Sequence, residues 1–266
     1  MRNRYVILFV LLVLSTLPSF QAASAAHLTR APAPQEQNSA SKAASVHESL
    51  TLSELRRKYA ETFKFRGPHV RQIALTFDDV PDPRFTPGVL AVLAKYHVKA
   101  TFFVVGQRAE KHPELVRRIY REGHLIGNHS YNHPLFKNRE LAYFKGQILR
   151  TAEIIHNLTG VHPRFIRPPY GEINEQQLKW VKSSGYKVIN WNVDSKDWKG
   201  LSKEQVKANI LSSAGPGSII LQHAGGGDGA DLSGTVQALP EIIRTLQSHG
   251  YTFVDLSELL HIKGSR

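Results

Sequence analysis

From Gln72 onward, short apolar runs rich in β-branched and aromatic residues alternate with longer stretches in which apolar residues recur every three or four positions. The runs Ile73–Phe77, Thr101–Val105, Leu125–Gly127, Arg164–Ile166, Lys187–Asn192, Ser218–Leu221 and Thr252–Val254 predict strands. Helices are predicted over Pro87–Tyr96, Pro113–Glu122, Glu140–Leu158, Asn174–Ser184, Lys203–Ser212, Val236–His249 and Leu256–Leu260. Strand and helix alternate about seven times over roughly 200 residues, the signature of parallel βα units in an α/β fold. A barrel is the simplest such fold, and a doubly wound open sheet is the alternative.

The chain ahead of this region reads differently. Thr51-Leu52-Ser53-Glu54 has the form of a capping box, and Leu52, Leu55, Tyr59 and Phe63 follow at helical spacing, so an amphipathic helix leads into the domain. Residues 26–48 are rich in Ala, Ser, Gln and Pro without hydrophobic period and read as a flexible linker. Residues 1–25 read as a signal peptide: Arg2 and Arg4, an apolar stretch from Tyr5 to Leu17, and the small-residue site Ala23-Ser24-Ala25 with cleavage after Ala25. The apolar stretch falls short of the roughly 18 to 20 residues of a spanning helix, and an uncleaved membrane anchor is the alternative. The expected organisation is thus a signal peptide, a linker and one catalytic domain over 49–266, with its motifs between about 72 and 254.

Composition narrows the chemistry. The 266 residues include no cysteine, which excludes disulfides, thiolate zinc sites and a thiol nucleophile, so any metal site must use histidine and carboxylate. Losing residues 1–25 takes two arginines and no acid from a net charge of +12, leaving +10. Such a surface attracts polyanions, acidic wall polymers among them. The clusters Arg56-Arg57-Lys58 and Arg117-Arg118 lack interleaved aromatics and read as solvated helix faces, so no nucleic-acid partner is expected. No GxGxxG or Walker lysine follows the first strand, which argues against a nucleotide.

Polar residues gather behind the predicted strands. Asp78-Asp79 follow the first, His129 and His133 the third, Arg167 and Tyr170 the fourth, Asp194 and Asp197 the fifth, and His223 the sixth. In a parallel barrel all these ends open on one face. Pro134 disfavours helix at His133, which points to a loop presenting two imidazoles. Two adjacent carboxylates repel, so Asp78-Asp79 requires a cation or one raised pKa. The two side chains leave a strand on opposite faces unless the chain turns sharply there. One carboxylate with two histidines makes a three-ligand set open to water and substrate. The stretch Gly225-Gly226-Gly227-Asp228-Gly229-Ala230-Asp231 reads as a mobile loop, since it lacks the Lys-Ser/Thr of a phosphate loop.

Five patches, Thr76-Phe77-Asp78-Asp79, His129-Ser130-Tyr131-Asn132-His133, Arg167-Pro168-Pro169-Tyr170-Gly171, Asp194-Ser195-Lys196-Asp197-Trp198 and Leu221-Gln222-His223, occur in an order that resembles the polysaccharide deacetylases of carbohydrate esterase family 4, marked by the NodB-homology domain. The resemblance covers about Gln72 to Val254 and implies a distorted (β/α) barrel of about seven parallel strands. It implies one divalent metal held by Asp79, His129 and His133, with zinc first and cobalt, nickel or manganese as alternatives. It further implies Asp78 as general base, His223 as general acid, the Tyr170 backbone N–H at the oxyanion, Arg167 orienting Asp78, and Asp197 pairing with His223. Trp198 and Leu221 would line the sugar and acetyl-methyl pockets. The sequence departs from the family pattern at Val80, where glycine is usual, and a positive φ there would strain a β-branched residue, so another loop path is expected. Tyr131 stands where the family often has tryptophan, a milder change.

The expected function is a secreted, metal-dependent hydrolase that removes N-acetyl groups from amino-sugar polymers, with peptidoglycan before chitin oligomers. The alternatives are an O-acetyl-xylan or small-amide hydrolase of the same fold, or a non-catalytic wall-glycan binder. The expected partners are an N-acetylated glycan and acidic wall polymers; no transmembrane segment is expected after signal cleavage.

Overall fold

The computed structural model of the protein describes residues 50–265. The predicted signal peptide (1–25) and linker (26–48) lie outside the described residues. Helix α1 (Leu52–Lys58) begins with the encoded capping box: Glu54 N–H donates to Thr51 Oγ1 and Thr51 N–H donates to Glu54 Oε2. Phe63 leaves the predicted helical stripe and enters the short strand β1 (Phe63–Lys64). The turn is made at Tyr59, whose carbonyl accepts from the N–H groups of Thr62 and Phe63. There follow β2 (Gln72–Val80), α2 (Thr86–Lys95), β3 (Thr101–Val104), α3 (Gly106–Lys111), α4 (Pro113–Arg121), β4 (Leu125–Asn128), α5 (Leu141–Thr159) and β5 (Phe165–Ile166). The second half contains α6 (Glu175–Ser183), β6 (Lys187–Ile189), β7 (Val193–Asp194), α7 (Lys203–Leu211), β8 (Ile219–His223), α8 (Ser233–Ser248), β9 (Thr252–Phe253) and α9 (Leu256–Leu260). Among these, no helix is long and apolar enough to cross a membrane.

Eight strands lie in the order β1-β6-β5-β4-β3-β2-β8-β7, with β9 paired to the start of β2, and every strand pairing is parallel. Strands β2 to β6 advance in one direction without the reversal of a doubly wound sheet, so the fold is a curled (β/α) barrel. It is distorted because the path ends at β1 and β7, which do not pair with one another. Among the described residues there are nine strands, eight along the curled sheet and a ninth beside β2. The predicted run Lys187–Asn192 divides, its first part pairing with β5 and β1 and the residues after it, as β7, pairing with β8. The two-residue β1 is too short to give an alternating pattern. Helix α3 was equally silent in the sequence, beginning at Gly106 with no side-chain cap.

The two-residue period of the strands sorts the side chains into two layers. On β2, Ile73, Leu75 and Phe77 pack outward into the main core with residues of α2 and α8 such as Leu90, Ile242 and Ile243. The alternate residue Ala74 packs inward with Phe103, Phe165, Ile189 and Ile219, and α9 closes this interior from below with Leu256 and Leu259. Continuing the inward set along β2 gives Thr76 and Asp78, and along β8 gives Leu221 and His223. The apolar floor of the barrel thus gives way, toward the strands' C-terminal ends, to polar groups.

Candidate active site

Alternation alone would send Asp79 to the outer layer with Phe77. Asp79 instead has φ 63, in the left-handed region, and the register of β2 on β3 shifts between Phe77 and Val80. This bulge turns the Asp79 carboxylate back to the barrel mouth and puts Val80 outward, fully buried in the main core. The positive φ falls at Asp79 and not at position 80, so Val80 carries no such strain. Aspartate tolerates this conformation better than a β-branched residue does.

The two histidines sit on a loop that is fixed by its own polar groups. Ser130 N–H donates to Asn128 Oδ1, His133 N–H donates to Ser130 Oγ, and Gln147 of α5 accepts from the N–H groups of Tyr131 and Asn132. Tyr131 extends this anchorage, with its hydroxyl on Glu110 and the Arg150 guanidinium over its ring. His133 has φ 59, a loop conformation consistent with the proline after it.

The resulting geometry brings Asp79, His129 and His133 together, one ligand atom from each lying within 4.8 Å of the others. His133 Nε2 is 3.3 Å and His129 Nε2 3.6 Å from Asp79 Oδ1. Burial, with the His133 charge adding to it, pushes His129 down to about 3, so its ring is neutral. Its Nδ1 lies 2.7 Å from the Arg167 carbonyl and can only donate there, which leaves the Nε2 lone pair directed at Asp79. Asp79 Oδ1 is buried and accepts no hydrogen bond. An orphaned carboxylate oxygen facing a lone pair fits a divalent cation held by Asp79, His129 and His133.

Asp78 lies beside this set, 3.6 Å from His129 Nε2. Burial pushes its carboxyl above the usual range, against the opposing pull of Arg167. Arg167, fully buried, donates from Nη1 to Asp78 Oδ1 at 2.7 Å and to Thr76 Oγ1 at 2.8 Å, and from Nε to the Ile189 carbonyl. Its guanidinium is 4.1 Å from the Phe103 ring centroid, and Gly127 makes room for that ring, since a Cβ there would meet it at 2.5 Å. Arg167 thus holds the Asp78 carboxylate through its side chain and the His129 ring through its carbonyl.

Across the cavity, β2 and β8 set Asp78 and His223 opposite one another in register. His223 Nδ1 lies 2.7 Å from Asp197 Oδ1, and the His223 N–H donates to Asp197 Oδ2 at 2.8 Å. Thr235 at the start of α8 also donates to Asp197 Oδ2, at 2.7 Å. Burial works against charging the imidazole, but the Asp197 carboxylate and its hydrogen bond lift it to about 9. Burial likewise opposes ionisation of Asp197, and its contacts with His223 and Thr235 outweigh it and hold the carboxyl below its usual range.

Asp78, Asp79, His129, His133 and His223 line a cavity of about 440 Å³. Tyr170 has φ 59 and is 64% exposed, and the hydrogen bonds of its turn run from Gly171 and Glu172, leaving the Tyr170 N–H outside them. Trp198 is 56% exposed at the rim and Leu221 is buried in the wall. Sequence reasoning missed Trp191, which lines the cavity, and Thr235, which holds Asp197. Neither has a signal in one dimension, although Trp191 lies three residues before Asp194. The loop expected to be mobile is pinned at its start: Gly225 lies so close to the Asp79 carbonyl that a Cβ would come within 2.0 Å, and the Gly226 carbonyl accepts from both Arg84 and Arg108.

The mouth of this barrel sets a buried carboxylate and a charged imidazole on either side of three residues that fit a divalent cation, an arrangement suited to hydrolysis. The chain belongs to the polysaccharide deacetylase family, whose sequence profile matches residues 66–189. It is 46% identical over 210 residues to a peptidoglycan-N-acetylglucosamine deacetylase of Bacillus cereus, covering 79% of this chain and 75% of that protein. It is 39% identical over 200 residues to the peptidoglycan-N-acetylmuramic acid deacetylase PdaC of Bacillus subtilis, covering 75% of this chain and 41% of the relative. Among solved structures, it is similar to a peptidoglycan N-acetylglucosamine deacetylase in complex with 4-naphthalen-1-yl-N-oxidanyl-benzamide, with a TM-score of 0.77 and 44% identity over 79% of this chain and 99% of that one.

Proposed function

We propose that this protein is an exported hydrolase that removes N-acetyl groups from the amino sugars of peptidoglycan, using a divalent ion held by Asp79, His129 and His133. The observation that carries the reading is the meeting of a neutral His129 lone pair with the unpartnered Asp79 oxygen, between a buried carboxylate and a charged imidazole. When bound, such an ion supplies Lewis acidity to an acetamide carbonyl and to a water molecule, and zinc suits the His₂Asp donor set best. Asp78, made more basic by burial, accepts the proton of the attacking water, and Arg167 holds its carboxylate in line. The Tyr170 N–H donates to the tetrahedral oxyanion. His223, kept charged by Asp197, donates its proton to the departing amine, a leaving group too poor to depart as an anion. Trp198 and Leu221 take the sugar ring and the acetyl methyl.

Peptidoglycan is favoured by the activities named for the relatives and by a basic surface suited to acidic wall polymers. Export rests on the signal-like residues 1–25. The test is acetate release from purified peptidoglycan, chitooligosaccharides and acetylated xylan, with and without chelator, and with metal content measured on the same sample. Chelator-sensitive release from peptidoglycan is expected. Release from the xylan ester alone, or from none of them by metal-loaded protein, would overturn the reading.

A further inference from the structure

The stretch Gly225–Gly227 forms one wall of the catalytic cavity, and its other side faces a second cavity of about 440 Å³; Gly226 and Gly227 line both. The second cavity is built around a buried carboxylate. Asp82, 2% exposed, accepts from Arg84 Nε at 3.1 Å and Nη2 at 2.7 Å, and from Arg108 Nη1 at 3.2 Å. Both guanidinium groups also donate to the Gly226 carbonyl, at 2.9 and 2.7 Å. Burial opposes the Asp82 charge, yet Arg84 and the backbone N–H groups of Arg84 and Gly226 hold its carboxyl at about 2. One ionised carboxylate is therefore shared between two fixed cations.

Lys111, exposed at the end of α3, adds a third positive group to the lining, and the only other acid there is Asp228 at the exposed tip of the loop. Among the described residues nothing accepts from Arg84 Nη1, Arg108 Nε or Lys111 Nζ. Donors whose geometry is already locked by Asp82 lose little freedom when they take an anion, and a guanidinium suits a carboxylate in particular.

We propose that this second cavity is a subsite for a carboxylate carried by the glycan strand, with Arg84 and Lys111 recognising it while the acetamide lies at His223. The proposal rests on the deacetylase reading and gives it a means of choosing between polymers. On every second sugar peptidoglycan carries a lactyl group whose carboxylate is free where the stem peptide has been removed and otherwise forms an amide to a peptide with carboxylates of its own, whereas chitin carries none. The subsite touches no reacting atom, so it acts on binding and selectivity rather than on the chemical step.

The test uses the full protein and three probes: glycan strands freed of stem peptides and bearing lactyl carboxylates, the same strands methyl-esterified, and chitotetraose. Affinity is measured by calorimetry and turnover by acetate release. The wild type is expected to bind the carboxylated strand about tenfold more tightly than its ester, and Lys111→Glu or Arg84→Gln to lower that ratio about five- to tenfold. Lys111→Glu breaks no hydrogen bond of the fold, so it decides the matter even where Arg84→Gln disturbs the Asp82 cluster. Equal affinity of the wild type for strand and ester, or a preference that survives both substitutions, would overturn the subsite. Absent acetate release alongside an intact binding preference would instead sink the deacetylase reading and leave the subsite standing.

Discussion

Asp197→Asn isolates the proton donor. Asparagine keeps the shape of the side chain and one acceptor for the His223 contacts, but removes the negative charge that outweighs burial at the imidazole. In the wild type, with His223 lifted to about 9, roughly ten charged rings stand for every neutral one at pH 8. Without that carboxylate, burial is opposed only by the weaker pull of Asp78 and Asp79, and the pKa falls toward the ordinary value of about 6.5, where about one ring in thirty is charged at pH 8. Acetate release from an N-acetyl substrate should therefore drop by up to about thirty-fold at pH 8. The sign follows from the donor being the protonated form: wild-type activity falls as pH rises through about 9, while the variant loses it nearer the ordinary imidazole range. The ratio of wild-type to variant rates, measured from pH 6 to 9, cancels the other titrations and should climb up to tenfold per unit until His223 itself titrates. NMR titration of the His223 ring checks the cause directly. A ratio flat across pH, or an unmoved His223 titration, would refute the argument and reduce Asp197 to a structural partner.

Asp79→Asn should lose metal, because a neutral oxygen replaces an anionic donor, whereas Asp78→Asn should keep near-stoichiometric metal and lose about 10² to 10⁴ in rate. Metal content and turnover on the same two preparations decide between them, and the reverse pattern would exchange the two roles. Gly225→Ala places a Cβ within 2.0 Å of the Asp79 carbonyl, so the ligand loop must move. Metal affinity should fall by at least several-fold in a protein whose circular dichroism stays native, and unchanged affinity would mean that the loop does not fix Asp79.

The inward positions of the site were legible because strands have a period of two and parallel strands end on one face. Asp78, His129, His133, Arg167, Tyr170, Asp197 and His223 were placed behind strand ends from pattern alone, and the resemblance supplied their roles and added Trp198 and Leu221. The position of Asp79 could not be read that way: its carboxylate reaches the mouth only through a left-handed backbone and a bulge, of which the sequence indicated no more than a possible sharp turn after the paired aspartates. The Arg167 carbonyl on His129, Thr235 on Asp197 and the arginine pair on Asp82 are contacts between a side chain and a distant segment. Such contacts leave no periodic trace in the sequence. The glycine-rich stretch shows a related limit, since composition reports conformational freedom but not the arginines that hold its first residues.

Strand β2 sits at the centre of the sheet, and its neighbours arrive at very different times. β3 follows it closely in sequence, whereas β8 and β9 come from the far end of the chain. Closing a long loop carries an entropic cost before its contacts are rewarded, so β8 docks late in folding. Asp79, His129 and His133 lie in the first half of the chain, and His223 lies beyond the seventh helix. A chain still being synthesised can therefore gather the first three while lacking His223 and the rim of Trp198. On this order of assembly, pulsed hydrogen exchange should find the β2–β3 hydrogen bonds protected before those of β8.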